Sequence, residues 1–417
     1  MSLATSPTQN PSAEALADDG SPTGLKPYAQ VFAAFFCGTI AFLDLYCTQP
    51  LLPLLSSVFH ASETKASLTV SATTLGVAFS AALLAVFAER VNRKRTIVIS
   101  MTALAVCTVM AATANSLFAL TIWRLVQGLL TPGIFMITIA YIIEGWPALQ
   151  VPQVMSVYVA GTVFGGFLGR VSGGLVGERF GWRFVFLFLG ALGLLGAATT
   201  QRLLRPAQSK RNLPGQSFQL DPLMGSLRNP RLLATFGIGF CMLFTLVSVF
   251  SYITFYLAAP PFSLSTTQLS WIFSVYLCGL FATLAAGTML ARIGLRHGML
   301  AAIALCLTGV SLTLVPSLAI VVLGLAVTGS GVFIAQTCAN SFLRDAAPAG
   351  TRVSAAGLYI FTYYIGGTVG GVLPGLVWKL GGWPGCAAIT SLVLVVAGFL
   401  TFFGWRHHPP VLDPIPL

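Results

Sequence analysis

Long apolar runs recur along this chain, each broken off by a short polar or charged stretch. Twelve can be placed, near 30–55, 66–88, 96–115, 117–142, 152–177, 184–203, 232–258, 267–290, 298–315, 318–342, 353–378 and 384–405. About 20 apolar residues carry a helix across the hydrocarbon of a bilayer. The runs lack the period-two alternation of a membrane barrel, and a helix satisfies its own backbone in lipid. The pattern therefore predicts an all-α integral membrane protein of twelve transmembrane helices. Several runs are longer than a span needs, so tilted or kinked helices are expected.

The pattern also repeats. Across 158–183, ten residues recur 201 positions later: Tyr158, Gly165, Gly166, Gly169, Val171, Gly174, Leu175, Val176, Gly181 and Trp182. A second echo pairs the basic turn 85–95 with 287–297 at offset 202. Between the copies, 201–231 holds six basic residues and no spanning run. The reading is a cytoplasmic tail over 1–29, six-helix halves over 30–203 and 232–405, a linker over 204–231 and a second tail over 406–417. An even helix count per half makes the repeats parallel, about an axis along the membrane normal, and places a site between the halves near the midplane.

Composition agrees. The chain is 56% hydrophobic and 8% charged, where a soluble domain carries roughly 25% charged residues. The net charge of +11 invites a nucleic-acid partner, but its placement argues against one. Sixteen of the 22 Lys and Arg fall on one side when both termini are cytoplasmic, with Lys65, Arg179, Arg183 and Lys379 opposite and Arg124 and Arg170 inside spans. That is the positive-inside asymmetry. Residues 1–27 lack a basic start and an apolar core, so they read as a disordered tail rather than a cleaved signal. The eight Cys and four His show no ligand spacing, so no metal or cofactor site is expected. With no phosphate-cradling Gly-Lys-Ser/Thr motif, ATP drive is not expected.

The few polar residues inside the spans are the candidate chemistry. Asp44 lies midway along the first span, where a carboxylate costs roughly 2.5–3.5 kcal/mol. Desolvation favours its neutral form, which makes it a proton-exchange candidate; a cation partner or a hydrogen bond to Thr48 would equally explain it. Arg124, Gln127, Gly128 and Thr131 share one face of the fourth span, and an Arg there stays charged and needs a partner. Gly161, Gly165, Gly169 and Gly173 form a packing stripe on the fifth span, echoed by Gly366 and Gly370 on the eleventh. The functional version has the fifth and eleventh helices, which carry the repeat, sliding or rocking against neighbours in the other half. Arg170, on the adjacent ridge, is a candidate for meeting an anionic substrate group, with outward snorkelling as the structural alternative. Tyr46, Tyr252, Tyr276, Tyr359 and Tyr363 are candidate aromatic lining, and Gln336 and Asn340 candidate polar lining or interhelical hydrogen bonds. Glu144, matched by Asp345, is a candidate for proton coupling or for structure at the cytoplasmic end. In the register of the repeat, Asp44 faces Thr245, Arg124 faces Leu325 and Arg170 faces Gly371. The intramembrane charges gather in the first half, where proton coupling is placed, leaving the second half to shape a substrate site.

These motifs resemble the major facilitator superfamily. The turn with Ala85, Glu89, Arg90, Asn92, Arg93, Lys94 and Arg95 is similar to the family's G-x-L-x-D-R-x-G-R-[RK] loop, with Ala85, Glu89 and Asn92 in place of its Gly, Asp and Gly. Arg124, Gln127 and Gly128 match its R-x-x-Q-G. Gly165, Gly169, Arg170, Gly173 and Gly174 resemble the antiporter signature, with Arg170 where proline is usual. The resemblance covers nearly the whole chain from about residue 30. It implies the twelve-helix drug:proton antiporter branch and a bacterial inner-membrane carrier. It further implies coupling or conformational switching at Arg124, and a cytoplasmic latch built from Glu89, Arg90, Arg93 and Lys94. The expected function is secondary transport of a small molecule by alternating access, as proton-coupled efflux, with proton-coupled import as the alternative and a membrane receptor or enzyme as the least supported class. The expected partners are a small molecule, protons and the bilayer, with the protein a monomer.

Overall fold

The computed structural model describes residues 25–87, 91–147, 149–204, 220–348 and 351–405. Among them the regular structure is helical, without a strand. Among the described residues, helix covers most of each of the twelve apolar runs. α1 is Leu25–Leu45, which breaks and resumes through a 3-10 turn at Gln49–Leu51 into Leu52–Val58. α2 is Glu63–Phe87, α3 Arg93–Ala111, α4 Leu117–Leu130 plus Pro132–Gly145, α5 Val151–Phe180 and α6 Trp182–Leu203. α7 is Pro230–Ala258, α8 Thr266–Ile272 plus Val275–Ile293, α9 Leu295–Leu312 and α10 Leu318–Ala346. Arg352–Gly404 divides at Gly382 (φ 56°) into α11 over 352–381 and α12 over 383–404. A short helix, Leu220–Arg228, lies between α6 and α7.

The breaks have local causes. Proline has no N–H to donate, so Pro50 and Pro132 each leave a carbonyl one turn earlier without its helical partner. Gln49 N–H then turns to Tyr46 O at 3.1 Å rather than to Leu45 O. Side chains cap the helix starts: Asn92 accepts from Arg95 N–H, Ser116 from Ala119 N–H, and Ser265 with Gln268 forms a capping box.

The repeat is legible in the packing. A Cβ at Gly165 would fall on the Thr39 carbonyl, and one at Gly366 on the Phe240 carbonyl; both the glycines and their partners are offset by 201. Gly169 against Leu43 and Gly370 against Phe244 repeat the relation, while Gly161 and Gly173 meet Phe35 and Cys47. Only glycine lets these backbones touch. The stripes therefore join α5 to α1 and α11 to α7 inside each half. The rotation of α5 turns the adjacent ridge across instead: Gly174 meets Ser270 of α8, and on α11 Gly371 meets Ser71 of α2. The repeated Gly-Trp pairs are turn devices. Gly181 (φ 88°) and Gly382 take a conformation that suits glycine. Trp182 packs between Phe59 and Phe186, and Trp383 donates its indole N–H to Thr313 O at 3.2 Å.

Candidate functional site

A cavity of about 450 Å³ lies between the halves, inside the roughly 300–1,000 Å³ range of small-molecule sites. The first half supplies Phe42 and Tyr46 from α1, Phe135 and Ile139 from α4, and Tyr158, Thr162, Gly166 and Arg170 from α5. The second supplies Leu246 from α7, Tyr276 from α8, Phe333, Gln336, Thr337 and Asn340 from α10, and Tyr363 and Tyr364 from α11. None of these lining residues is acidic, and Arg170 is the one cation among them.

Arg170 is buried. Its Nε donates to Gln49 Oε1 and its Nη1 to Gly166 O, both at 2.8 Å. Its guanidinium carbon stands 4.4 Å from the Tyr276 ring, 4.7 Å from Tyr46 and 5.2 Å from Phe273, within cation–π range. Gln49 Nε2 donates onward to Ser251 Oγ of α7 at 3.4 Å. The chain Arg170–Gln49–Ser251 thus crosses the half interface above the cavity. Among the described residues, two further hydrogen bonds join the halves, Thr267 N–H to Glu178 Oε2 at 2.6 Å and Thr74 to Thr368 at 3.0 Å. These lie at mid-bundle or at the Gln49 end.

A second buried cluster sits beside the break in α1. Arg124 Nη2 donates at 2.8 Å to both Asp44 O and Leu45 O, carbonyls that the break deprives of regular helical partners. Nε reaches Thr69 O at 3.4 Å, and Nη1 donates to Gln127 Oε1 at 2.7 Å and lies 3.4 Å from Asp44 Oδ2. Gln127 Nε2 donates to Thr108 Oγ1 at 3.0 Å, and the Thr108 hydroxyl shares its one proton between Leu104 O at 2.8 Å and Asp44 Oδ2 at 3.2 Å. Asp44, Thr108, Gln127 and Arg124 form a closed ring drawn from α1, α3 and α4. Of the two structural partners open to Asp44, the structure shows the cation. Thr48 is not bonded to it; its hydroxyl is buried without a partner.

Of the residues singled out for lining, Tyr46, Arg170, Tyr276, Gln336, Asn340 and Tyr363 border the cavity. Three are placed elsewhere. Gln127 belongs to the Asp44 ring. Tyr252 turns its hydroxyl to Gly371 O at 2.7 Å and packs on Trp378. Tyr359 lies against Gly239 of α7, behind the Tyr363 ring. Glu144 is half-exposed and grips Arg93 by two bonds, 2.7 Å to Nη2 and 3.1 Å to Nε, tying the end of α4 to the start of α3. Of the latch residues, Lys94 is partly buried in the first turn of α3, while Glu89 and Arg90 lie outside the described residues. Sequence reasoning missed Thr108, Gln49, Tyr158, Thr162 and Tyr364. Tyr158, Thr162, Gly166 and Arg170 stand four residues apart, so the ridge already marked by Gly166 and Arg170 carried the signal for two of them.

A model of the Major Facilitator Superfamily matches this chain twice, over residues 34–260 and 257–416. The uncharacterized MFS-type transporter YybF of Bacillus subtilis (strain 168) is 32% identical over 376 residues, which is 89% of this chain and 92% of that protein. The inner membrane transport protein YnfM of Escherichia coli (strain K12) is 29% identical across 90% of this chain and 89% of its own length. Among solved structures, a bacterial homolog of the human lysosomal transporter Spinster, inward-facing and unoccupied, superposes with a TM-score of 0.77. It covers 91% of this chain and 98% of its own at 17% identity, a likeness of fold.

Proposed function

The chain belongs to the major facilitator superfamily and is a multi-pass inner-membrane transporter of small molecules, and from that premise we propose that it exports its substrate in exchange for protons, with Asp44 and Arg124 as the coupling pair. The observation that carries the proposal is the ring around the α1 break. Arg124 stays charged whatever the proton does. Protonating Asp44 removes the charge that offsets it and leaves Arg124 held at the break by Gln127 Oε1 and backbone carbonyls, all neutral. Tyr46 and Gln49, two and five residues on, belong to the cavity wall and its ceiling. A change at the break is therefore felt where the halves meet, which is what alternating access requires.

Positive-inside placement makes the end bearing Arg93, Arg231, Arg292 and Arg344 cytoplasmic, with both termini on that side. The bonds between the halves named above then lie at mid-bundle and on the outer side, which supports reading the cavity as part of a state closed to the outside. The halves are taken as 30–203 and 232–405. Tyr46, Arg170, Tyr276, Gln336, Asn340 and Tyr363 are assigned to the substrate, with the cavity complete in one chain, consistent with a monomer. Arg93 with Glu144, joined by Lys94, Glu89 and Arg90, is assigned to the cytoplasmic latch.

The test is proton flux in proteoliposomes loaded with a pH-sensitive dye, across a panel of compounds. Protons moving against the added compound show exchange; protons moving with it show import by symport. A compound carried with no proton movement would remove the coupling proposal. Within the same assay, Glu144→Gln is expected to keep coupled transport and to lose at most about 1 kcal/mol of stability, because its partner bond is near the surface. Loss of coupling in that variant would move the proton site from Asp44 to Glu144.

A further inference from the structure

We propose that the cavity takes a monoanionic carboxylate with an apolar, aromatic body, its carboxylate seated on Arg170. This rests on the reading of the cavity as the transport site. The buried charges at the site are Asp44, Arg124 and Arg170. The first two face each other. Arg170 has no carboxylate within salt-bridge distance among the described residues; its hydrogen-bond partners are a neutral amide and a carbonyl. A cation so placed inside a membrane protein is costly unless an anion joins it, and a guanidinium matches a carboxylate with two parallel bonds.

The charge count fixes the ligand class. One uncompensated cation neutralises one negative charge, so a monocarboxylate fits better than a dianionic phosphate. The walls supply the body's surroundings: aromatic rings from α1, α4, α5, α8, α10 and α11 surround the space. An aromatic cage by itself would welcome organic cations, but the guanidinium at its ceiling repels them. Gln336, Thr337 and Asn340 line the α10 wall and accommodate a hydroxyl or amide substituent on the body.

The experiment measures binding to the purified full chain at neutral pH by calorimetry, using phenylacetate, its neutral isostere phenylacetamide, the cation phenethylammonium and phenyl phosphate. Phenylacetate is expected to bind about tenfold or more tightly than the amide, the usual worth of charge-assisted hydrogen bonds, with the cation weakest. Arg170→Gln is expected to bring the acid-to-amide ratio to about one. Gln49→Glu should do the same by another route, since it places a carboxylate on the Arg170 Nε and fills the anion's role from within the protein. Melting temperature and gel-filtration profile show that each variant is folded, and Arg170→Lys should retain part of the preference. The proposal is overturned if the amide, cation or phosphate binds as tightly as phenylacetate, if the preference survives both Arg170→Gln and Gln49→Glu, or if phenylacetate does not bind. The transport reading fails separately. An acid that binds without being moved would sink that reading and leave this one; a neutral or cationic compound carried with protons would do the reverse.

Discussion

Arg124→Ala is expected to destabilise the protein by about 3–5 kcal/mol, the usual loss when one partner of a buried ion pair is removed. The side chain is fully buried and holds more than Asp44. Its Nη2 satisfies the Asp44 and Leu45 carbonyls at the α1 break, and an unbonded buried carbonyl costs about 1–3 kcal/mol. The truncation also leaves the Asp44 carboxylate to Thr108 and the weak Cys47 thiol. The second half shows how the same position is built without charge. There Thr245 bonds back to Cys241 O, Leu325 is buried, and α7 runs unbroken. The double substitution Asp44→Thr with Arg124→Leu should therefore recover part of the stability that Arg124→Ala loses, since no lone charge remains. Recovery should be incomplete, because the α1 break still exposes its carbonyls. Thermal melting in detergent reads both, and an Arg124→Ala protein as stable as the wild type would show that the ring does not hold the break.

What could be read from the sequence follows from what lipid imposes. Hydrocarbon forces each span to be long, apolar and helical, so the twelve runs and the two halves were visible in the order of residues. The glycine stripes were visible too, because close helix contact needs them at fixed spacing. Their partners were not. Spacing gives the face of a helix but not its rotation about its own axis, and that rotation decided that Gly165 meets Thr39 in its own half while Gly174 meets Ser270 across the interface. The same limit hid the Asp44 ring. Arg124 and Gln127 share a face in sequence, yet Thr108 joins them from α3 with no local signal. Gln49 was hidden differently: Pro50 unwinds the chain there, and a side chain on a 3-10 turn does not follow helical spacing.

Asp44→Asn is expected to abolish pH-gradient-driven transport while leaving exchange of labelled for unlabelled substrate at near wild-type rates. The amide has nearly the shape of the carboxylate, and its oxygen still accepts from Thr108. Arg124 keeps Gln127 Oε1 and the carbonyls of Asp44, Leu45 and Thr69, so the loss of stability should be smaller than for Arg124→Ala. What the variant lacks is the ability to gain and lose a proton. Coupling is the difference in proton affinity between two conformations, and it acts equally in both directions. A group fixed in one protonation state contributes nothing to that difference, yet it does not block the conformational cycle. The size of the effect follows from the gradient. One pH unit is worth about 1.4 kcal/mol per proton, a factor of ten in concentration. A one-for-one exchanger thus sustains about a tenfold substrate ratio across a one-unit gradient, and the variant should sustain a ratio near one. Counterflow without accumulation would place the proton on Asp44. Accumulation undiminished by the substitution would take it off Asp44 and leave the ring a structural brace for the broken helix.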